Sequence, residues 1–320
     1  MWRPILSPCG RCAAIAPESL PHLNVPFVSP KILCRRHGLT PKKSLGQNFL
    51  LHPDQARRLV AALELGEHET VVEIGPGLGA LTLFLAQAAR RVVALEVDSR
   101  LIAILQDEIL TDLPQVEIIS QDALSFNFLA LSRIEGRPLP VIGNLPYQIT
   151  SPLLFKLLSE KAAVRVMVLM MQQEVGQRLL AQPGGKDYGI LSVLLQYHFR
   201  LEKLFSLGPG NFYPAPKVDS VVLRFRPLFR EPPGVDEELL REVVKAAFAT
   251  RRKTLKNSLS AQSSRLGHSP AHILDTLSAL NIDPNRRPET LSVLDFVRLA
   301  QALGERPSPT PKNAPAEPAD

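Results

Sequence analysis

Apolar positions along this 320-residue chain fall into short runs of two kinds, and the two kinds take turns. Val71–Ile74, Val92–Val97, Val116–Ser120, Leu139–Ile142 and Val164–Met171 are compact runs of the kind that forms buried strands. Between them, Ala56–Leu65, Ala80–Ala89, Leu101–Leu110 and Leu153–Leu158 carry helical spacing. Such alternation predicts a parallel sheet with helices on both faces. Lys203–Leu207 and Val218–Arg226 follow as a closing pair of strands, the second alternating Val221, Leu223 and Phe225. Beyond Pro232-Pro233-Gly234 the pattern turns purely helical, over about 236–249, 252–260, 270–280 and 289–303. The fold class is therefore α/β, a doubly wound and mostly parallel sheet with an antiparallel closing strand, plus a small all-α C-terminal portion from about residue 230 to 305.

The two ends read differently from the body. Residues 1–39 carry many prolines, little acid and no sustained apolar period, and are expected to form a disordered extension. With Arg3, Arg11, Arg35 and Arg36 it also has some character of a transit peptide, although it lacks an amphipathic pattern and is not Ser-rich. Cys9-x-x-Cys12 and Cys34-x-x-His37 have a spacing used for zinc, but neither pair sits in a knuckle or ribbon context, so no metal is expected. Residues 306–320 hold five prolines and read as a disordered tail. All three cysteines lie in the first 34 residues, so the body has no disulfide framework, which fits a reducing compartment. The expected location is cytoplasmic, or organellar if the extension is a transit peptide. A net charge of +6 favours an anionic partner, and no apolar run is long enough to cross a membrane.

Candidate chemistry gathers at the ends of the predicted strands. The first strand runs through Glu73-Ile74 into Gly75-Pro76-Gly77-Leu78-Gly79 and then a helix, a turn that lets backbone approach a ligand. The spacing Gly-x-Gly-x-Gly departs from the dinucleotide pattern Gly-x-Gly-x-x-Gly. Glu73 beside it would repel a pyrophosphate yet tolerate a ligand with an amine and a sulfonium. Glu96, some twenty residues on, stands where an acid takes the two hydroxyls of a ribose, and Asp122 after the third strand is placed to accept from an adenine amino group. At the fourth strand end, Asn144-Leu145-Pro146-Tyr147 offers an amide oxygen, a backbone carbonyl and an aromatic face. These suit a flat ring bearing an amino group.

Taken together, the glycine loop, Glu96, Asp122 and Asn144-Leu145-Pro146-Tyr147 resemble a Rossmann-like class I methyltransferase that uses S-adenosylmethionine on an exocyclic amine. Ser44-Leu45-Gly46-Gln47-Asn48-Phe49-Leu50 and Asn211-Phe212-Tyr213-Pro214-Ala215-Pro216-Lys217-Val218-Asp219-Ser220 narrow the likeness to the ribosomal RNA adenine N6-dimethyltransferases, in the small-subunit branch. The resemblance covers about residues 40–303, with 40–229 as the methyltransferase domain. It implies that Asn48, Leu50, Glu73, Gly75, Gly77, Gly79, Glu96, Asp122 and Asn144 line the site of S-adenosyl-L-methionine. It also implies that Asn144 and the Leu145 carbonyl hold the target amine in the Pro146 loop, that Tyr147 stacks on the adenine, and that Phe212 covers the other face, with Tyr213 beside it as a competitor. The implied substrate is small-subunit ribosomal RNA within a pre-assembled 30S particle, met by a monomer, with no membrane partner. Lys245, Arg251, Arg252, Lys253 and Lys256 form a basic cluster suited to RNA phosphates. Three other readings stand beside this one. They are a large-subunit RNA adenine dimethyltransferase, a non-catalytic nucleic-acid-binding relative, and a nicotinamide-dependent dehydrogenase, the last disfavoured by the glycine spacing.

Overall fold

A computed structural model describes residues 27–66, 68–228, 234–250 and 252–304. The strands are β1 (Phe49–Leu50), β2 (Thr70–Ile74), β3 (Arg91–Glu96), β4 (Val116–Ser120), β5 (Leu139–Asn144), β6 (Val164–Gln172), β7 (Phe199–Leu207), β8 (Phe212–Tyr213) and β9 (Ser220–Pro227). Through the first part of the chain the helices are α1 (Pro30–Arg36), α2 (Pro53–Ala61), α3 (Thr82–Ala88), α4 (Ser99–Ile104), α5 (Phe128–Glu135), α6 (Thr150–Ser159), α7 (Gln173–Leu180) and α8 (Ile190–His198). The C-terminal portion adds α9 (Glu237–Phe248), α10 (Leu255–Ala261), α11 (Ser263–Leu266), α12 (Pro270–Ala279) and α13 (Val293–Gly304).

Seven strands form one sheet in the order β4-β3-β2-β5-β6-β9-β7. Every neighbouring pair from β4 to β6 is parallel, whereas β9 runs antiparallel to both β6 and β7. The antiparallel strand is thus inserted one place in from the edge. Consecutive residues of the central strands face opposite cores. Val72, Val93, Val141, Met167 and Leu223 join one apolar cluster, and Val71, Val92, Ile142, Val168 and Val222 join the other. Burial on both faces is why these strands read as unbroken apolar runs. β7, at the edge, is buried only at Phe199 and Leu207, its intervening residues being partly or fully exposed.

The first of these clusters does not stop at the sheet. It continues through α6 and α8 into Leu240, Val243, Phe296 and Leu299 of the C-terminal helices. The all-α portion therefore shares its core with one face of the sheet. α13 begins at Val293, later than the apolar period suggests, because Ser292 and Asp295 cap each other: Ser292 N–H and hydroxyl donate to Asp295, and Asp295 N–H donates back to the Ser292 hydroxyl at 3.1 Å.

Four expectations need correction. Within the described residues, 27–39 are not disordered: α1 buries Leu33 and Cys34 in a small third cluster with Phe49, Leu78 and Leu101. The expected helix Leu101–Leu110 starts earlier, at Ser99, where Asp98 caps it, and widens to a π turn over Leu105–Ile109. Helices α5, α7 and α8 are additions to the expected set, although Asn127 and Gly136 bracket α5 as a cap and a left-handed stop. Finally, β5 does not end at Ile142. Gly143 and Asn144 pair with Leu169 and Met170 of β6, so Asn144 is a strand residue.

Gly143 sits where a side chain has no room. A Cβ there would lie 2.7 Å from the Ile74 carbonyl oxygen on the adjacent strand. Gly143→Ala is expected to destabilise the protein by about 1–3 kcal/mol through forced backbone displacement, read as a lower urea midpoint. A midpoint equal to that of the wild type would show that the strands are looser than this spacing.

Candidate active site

Strand order reverses between β2 and β5, and at that reversal the carboxyl ends of β2, β3, β4 and β5 open on one cavity of about 250 Å³. Asn48, Leu50, Glu73, Gly75, Gly77, Glu96, Asp122, Asn144 and Pro146 line it. The cavity suits a ligand of about nucleoside size.

Gly75 has φ +69°, and a Cβ added to it would meet nothing within 4 Å. The loop therefore turns in the left-handed region and keeps bare backbone towards the cavity. Gly79 plays another part. It is not in the cavity wall, and a Cβ there would strike Ile109 of the π turn at 2.9 Å. It lets the π turn, through Leu105 and Ile109, pack close behind the loop.

Glu73 is not at a solvated strand end: it is fully buried at the cavity floor. Neither carboxyl oxygen has a partner in good hydrogen-bond geometry among the described residues; the Thr82 hydroxyl is the polar group beside it, near enough to stabilise the charged form. Burial pushes the carboxyl up to about 8; Thr82 pulls the other way and Glu96 adds to the rise. At neutral pH burial therefore favours the protonated acid.

Glu96 is almost buried and is held by backbone. Its Oε1 accepts from Val97 N–H at 2.8 Å and Asp98 N–H at 3.0 Å, and its Oε2 accepts from Gly77 N–H at 3.3 Å. Burial raises its pKa, and these amides pull it back towards the charged form. Asp122 is exposed at the rim, with Oδ1 accepting from Leu124 N–H at 2.9 Å.

At the end of β5, Asn144 donates its side-chain N–H to the Asn48 carbonyl at 2.8 Å. That bond decides which way the amide faces, because the carbonyl can only accept: the Asn144 oxygen is left as the free acceptor. Leu145 buries its side chain and donates its N–H to Met170 O at 2.9 Å, so its carbonyl is what it has to offer. Tyr147 is half-buried outside the cavity wall, with its hydroxyl against Ser220.

Phe212 is a correction. It is 3% exposed, lies in the second core cluster, and pairs through β8 with Leu50 of β1. The other aromatic of that strand, Tyr213, is partly buried against the third cluster, with the Lys31 ammonium 5.9 Å from its ring centre. Successive side chains of β8 face opposite sides, Phe212 into the second cluster and Tyr213 against the third. The basic cluster is also only partly assembled. Lys245 is drawn to Glu242 on its own helix at 3.4 Å, Arg251 lies outside the described residues, and Arg252, Lys253 and Lys256 are exposed before and at the start of α10. Backbone bonds from Leu255 and Lys256 N–H to Arg286 O and Pro284 O tie the start of α10 to the segment before Pro288, where Arg287 is paired with Glu289 at 4.0 Å. Of the cysteine and histidine pairs, Cys34 is buried with its thiol pushed up by burial, His37 turns to Glu108, and Cys9 and Cys12 lie outside the described residues.

The wall nearest the residues before β1 is not legible from spacing alone. Gly46 and Gln47 line the cavity, and Gly46 lies against Pro146, with a built Cβ 3.1 Å from the Pro146 Cβ. Long-range packing of this kind leaves no local period in a sequence.

Comparison with known proteins decides the family. A profile of ribosomal RNA adenine dimethylases matches residues 38–303. The chain belongs to that family. Its similar relatives include the ribosomal RNA small subunit methyltransferase A of Bacillus cytotoxicus, 45% identical over 279 residues, which are 85% of this chain and 94% of that protein. The protein of the same description from Bacillus mycoides is 44% identical over the same shares. Among solved structures, a dimethyladenosine transferase from Plasmodium falciparum superposes with TM-score 0.67 at 25% identity, over 78% of this chain and 95% of that one. The 23S rRNA methyltransferase ErmE superposes with TM-score 0.60 at 25% identity, over 81% and 100%.

Glu73 makes stability depend on pH in a definite direction. Its folded pKa of about 8 lies above the ordinary 4.5. The folded state therefore keeps a proton that the unfolded chain releases, and stability from this group is full below about pH 4.5 and lost as pH rises towards 8. Glu73→Gln should flatten the fall in melting temperature between pH 5 and 8. An unchanged slope would mean that Glu73 ionises in the folded protein as it does in water.

Proposed function

We propose that the cavity binds S-adenosyl-L-methionine and that Asn144 and the Leu145 carbonyl grip the N6 amine of an adenosine in small-subunit ribosomal RNA, which is converted to N6,N6-dimethyladenosine. The observation that carries this reading is the Asn144–Asn48 hydrogen bond, which leaves the amide oxygen as an acceptor at the mouth of a cavity floored by acids. The cofactor fits the residues present. An unpartnered buried carboxyl on Glu73 suits the positive charge it carries, the bare backbone at Gly75 allows close approach, and the Glu96 carboxylate suits a ribose diol. When bound, it supplies a methyl group on a sulfonium.

The residues of the chain do the positioning. An exocyclic adenine amine shares its lone pair with the ring, which makes it a weak nucleophile in plane. Two acceptors, the Asn144 Oδ1 and the Leu145 carbonyl, would take its two hydrogens and favour a tetrahedral nitrogen whose lone pair points into the cavity. Positive charge developing on that nitrogen strengthens both hydrogen bonds, so no strong general base is required. Tyr147, steadied at its hydroxyl by Ser220, supplies the stacking face. The target base must leave its stack to reach these groups, as in other enzymes acting on bases.

The small-subunit assignment is supported by 45% identity to a protein described as a small-subunit methyltransferase, against 25% to ErmE. We take the substrate to be an assembled 30S particle and the enzyme to act as a monomer in the cytoplasm. Among the described residues no helix is long and apolar enough to cross a membrane.

Asn144→Ala should lose at least a hundredfold in methyl transfer when S-adenosylmethionine is saturating, the scale on which single charge-stabilising groups act. Radiolabel transfer to purified small-subunit particles, with large-subunit RNA alongside, measures this. Wild-type turnover in the variant, or transfer to the large-subunit RNA alone, would refute the assignment. Lys253→Gln with Lys256→Gln should weaken RNA binding and lower its salt slope by about one for each phosphate no longer neutralised. An unchanged slope would leave these lysines as an ordinary solvated surface.

A further inference from the structure

The cavity has one wall that the sheet does not provide. Residues 40–48 run across it as a strap whose Ser44, Leu45, Gly46, Gln47 and Asn48 face the cavity. A strap without sheet pairing of its own must be held by side chains, and those bonds converge on one residue. Asp98 caps α4, and its side chain is 1% exposed. Its Oδ2 accepts from Gln47 Nε2 at 2.8 Å and from Arg100 Nη2 at 2.6 Å, and its Oδ1 accepts from Arg100 Nε at 3.0 Å, with the Lys42 ammonium 3.6 Å away. Gln47 in turn accepts from Lys42 N–H at 2.7 Å, and Arg100 reaches the Thr40 carbonyl at 3.3 Å.

The same residue also touches the floor. Asp98 N–H donates to Glu96 Oε1 at 3.0 Å. A helix cap needs one oxygen, and here the bond from Arg100 N–H to Oδ1 is a long 3.2 Å, so most of this carboxylate is engaged elsewhere. We propose that Asp98 is a positioning residue for the cofactor: it clasps the 40–48 strap over the cavity and, through its own backbone, sets the Glu96 carboxylate beneath it. The proposal rests on the cavity being the cofactor site. At its far end the strap is held by the Asn48 carbonyl on Asn144. The clasp therefore ties the cofactor wall to the amine-gripping residue.

Asp98→Asn separates this role from helix capping. Asparagine caps helices as well as aspartate does, but it turns one acceptor into a donor facing Gln47 or Arg100 and removes the charge. The variant should fold with a far-UV spectrum like that of wild type. Its dissociation constant for S-adenosylmethionine should rise at least tenfold, its KM for the cofactor should rise in parallel, and kcat at saturating cofactor should stay within about threefold. Trypsin should cut faster after Lys42 and Lys43, which are exposed in the strap. Gln47→Ala should shift the same readouts in the same direction, and the double variant should lose less than the sum. Wild-type cofactor affinity together with wild-type strap cleavage in Asp98→Asn would overturn the clasp. If the wild-type protein itself fails to bind S-adenosylmethionine, the cofactor reading is what falls, and strap cleavage alone then decides for or against the clasp.

Discussion

The constraint on which this protein depends is the reversal of strand order between β2 and β5. Parallel strands need long crossovers, and where successive crossovers pass to opposite sides of the sheet a crevice must open at the carboxyl ends. Here that one gap collects the glycine turn from β2, the acid from β3, the acid after β4 and the asparagine from β5. These residues are 71 positions apart along the chain, from Glu73 to Asn144, and no local geometry would bring them together. The rest of the fold supports that gap. Two apolar cores clamp the sheet from both faces, and the C-terminal helices extend one of them, so strand ends that carry chemistry are set in a stiff frame.

Electrostatically the site is unusual in the density of its acids. Glu73, Glu96 and Asp98 lie within twenty-six residues, and all three are buried. They avoid mutual repulsion in three different ways. Glu73 keeps its proton, Glu96 is held by backbone N–H groups, and Asp98 is neutralised by Arg100 and Lys42, with the Arg100 guanidinium holding its carboxyl well below the usual range. Two of those solutions leave an acceptor available to a ligand, and the third turns a buried charge into a structural tie.

Much of the site is legible in the sequence. The glycine spacing, Glu96, Asp122 and Asn144-Leu145-Pro146-Tyr147 are local patterns with a direct physical reading, and all but Gly79, Leu145 and Tyr147 stand in the cavity wall. What misleads is chemistry judged without burial. Phe212 has the right ring for stacking, but the two-residue pairing of β8 with β1 turns it into the core. Among helices, α8 escapes notice because a helix buried among other elements loses the polar face that would mark it out.

By itself the sequence determined the central strands and the helices of clear period between them, though not α5, α7 or α8, since strand and helix periods and strand-end turns are properties of neighbouring residues. It also determined the residue chemistry at each strand end. Tertiary structure alone decided which strands adjoin, that β9 enters between β6 and β7, that Glu73 is buried and protonated, and that a strap held by Asp98 closes the cavity. Each of these depends on residues far apart in the chain meeting in a medium from which water is excluded. Both the meeting and the dielectric it creates exist only after folding.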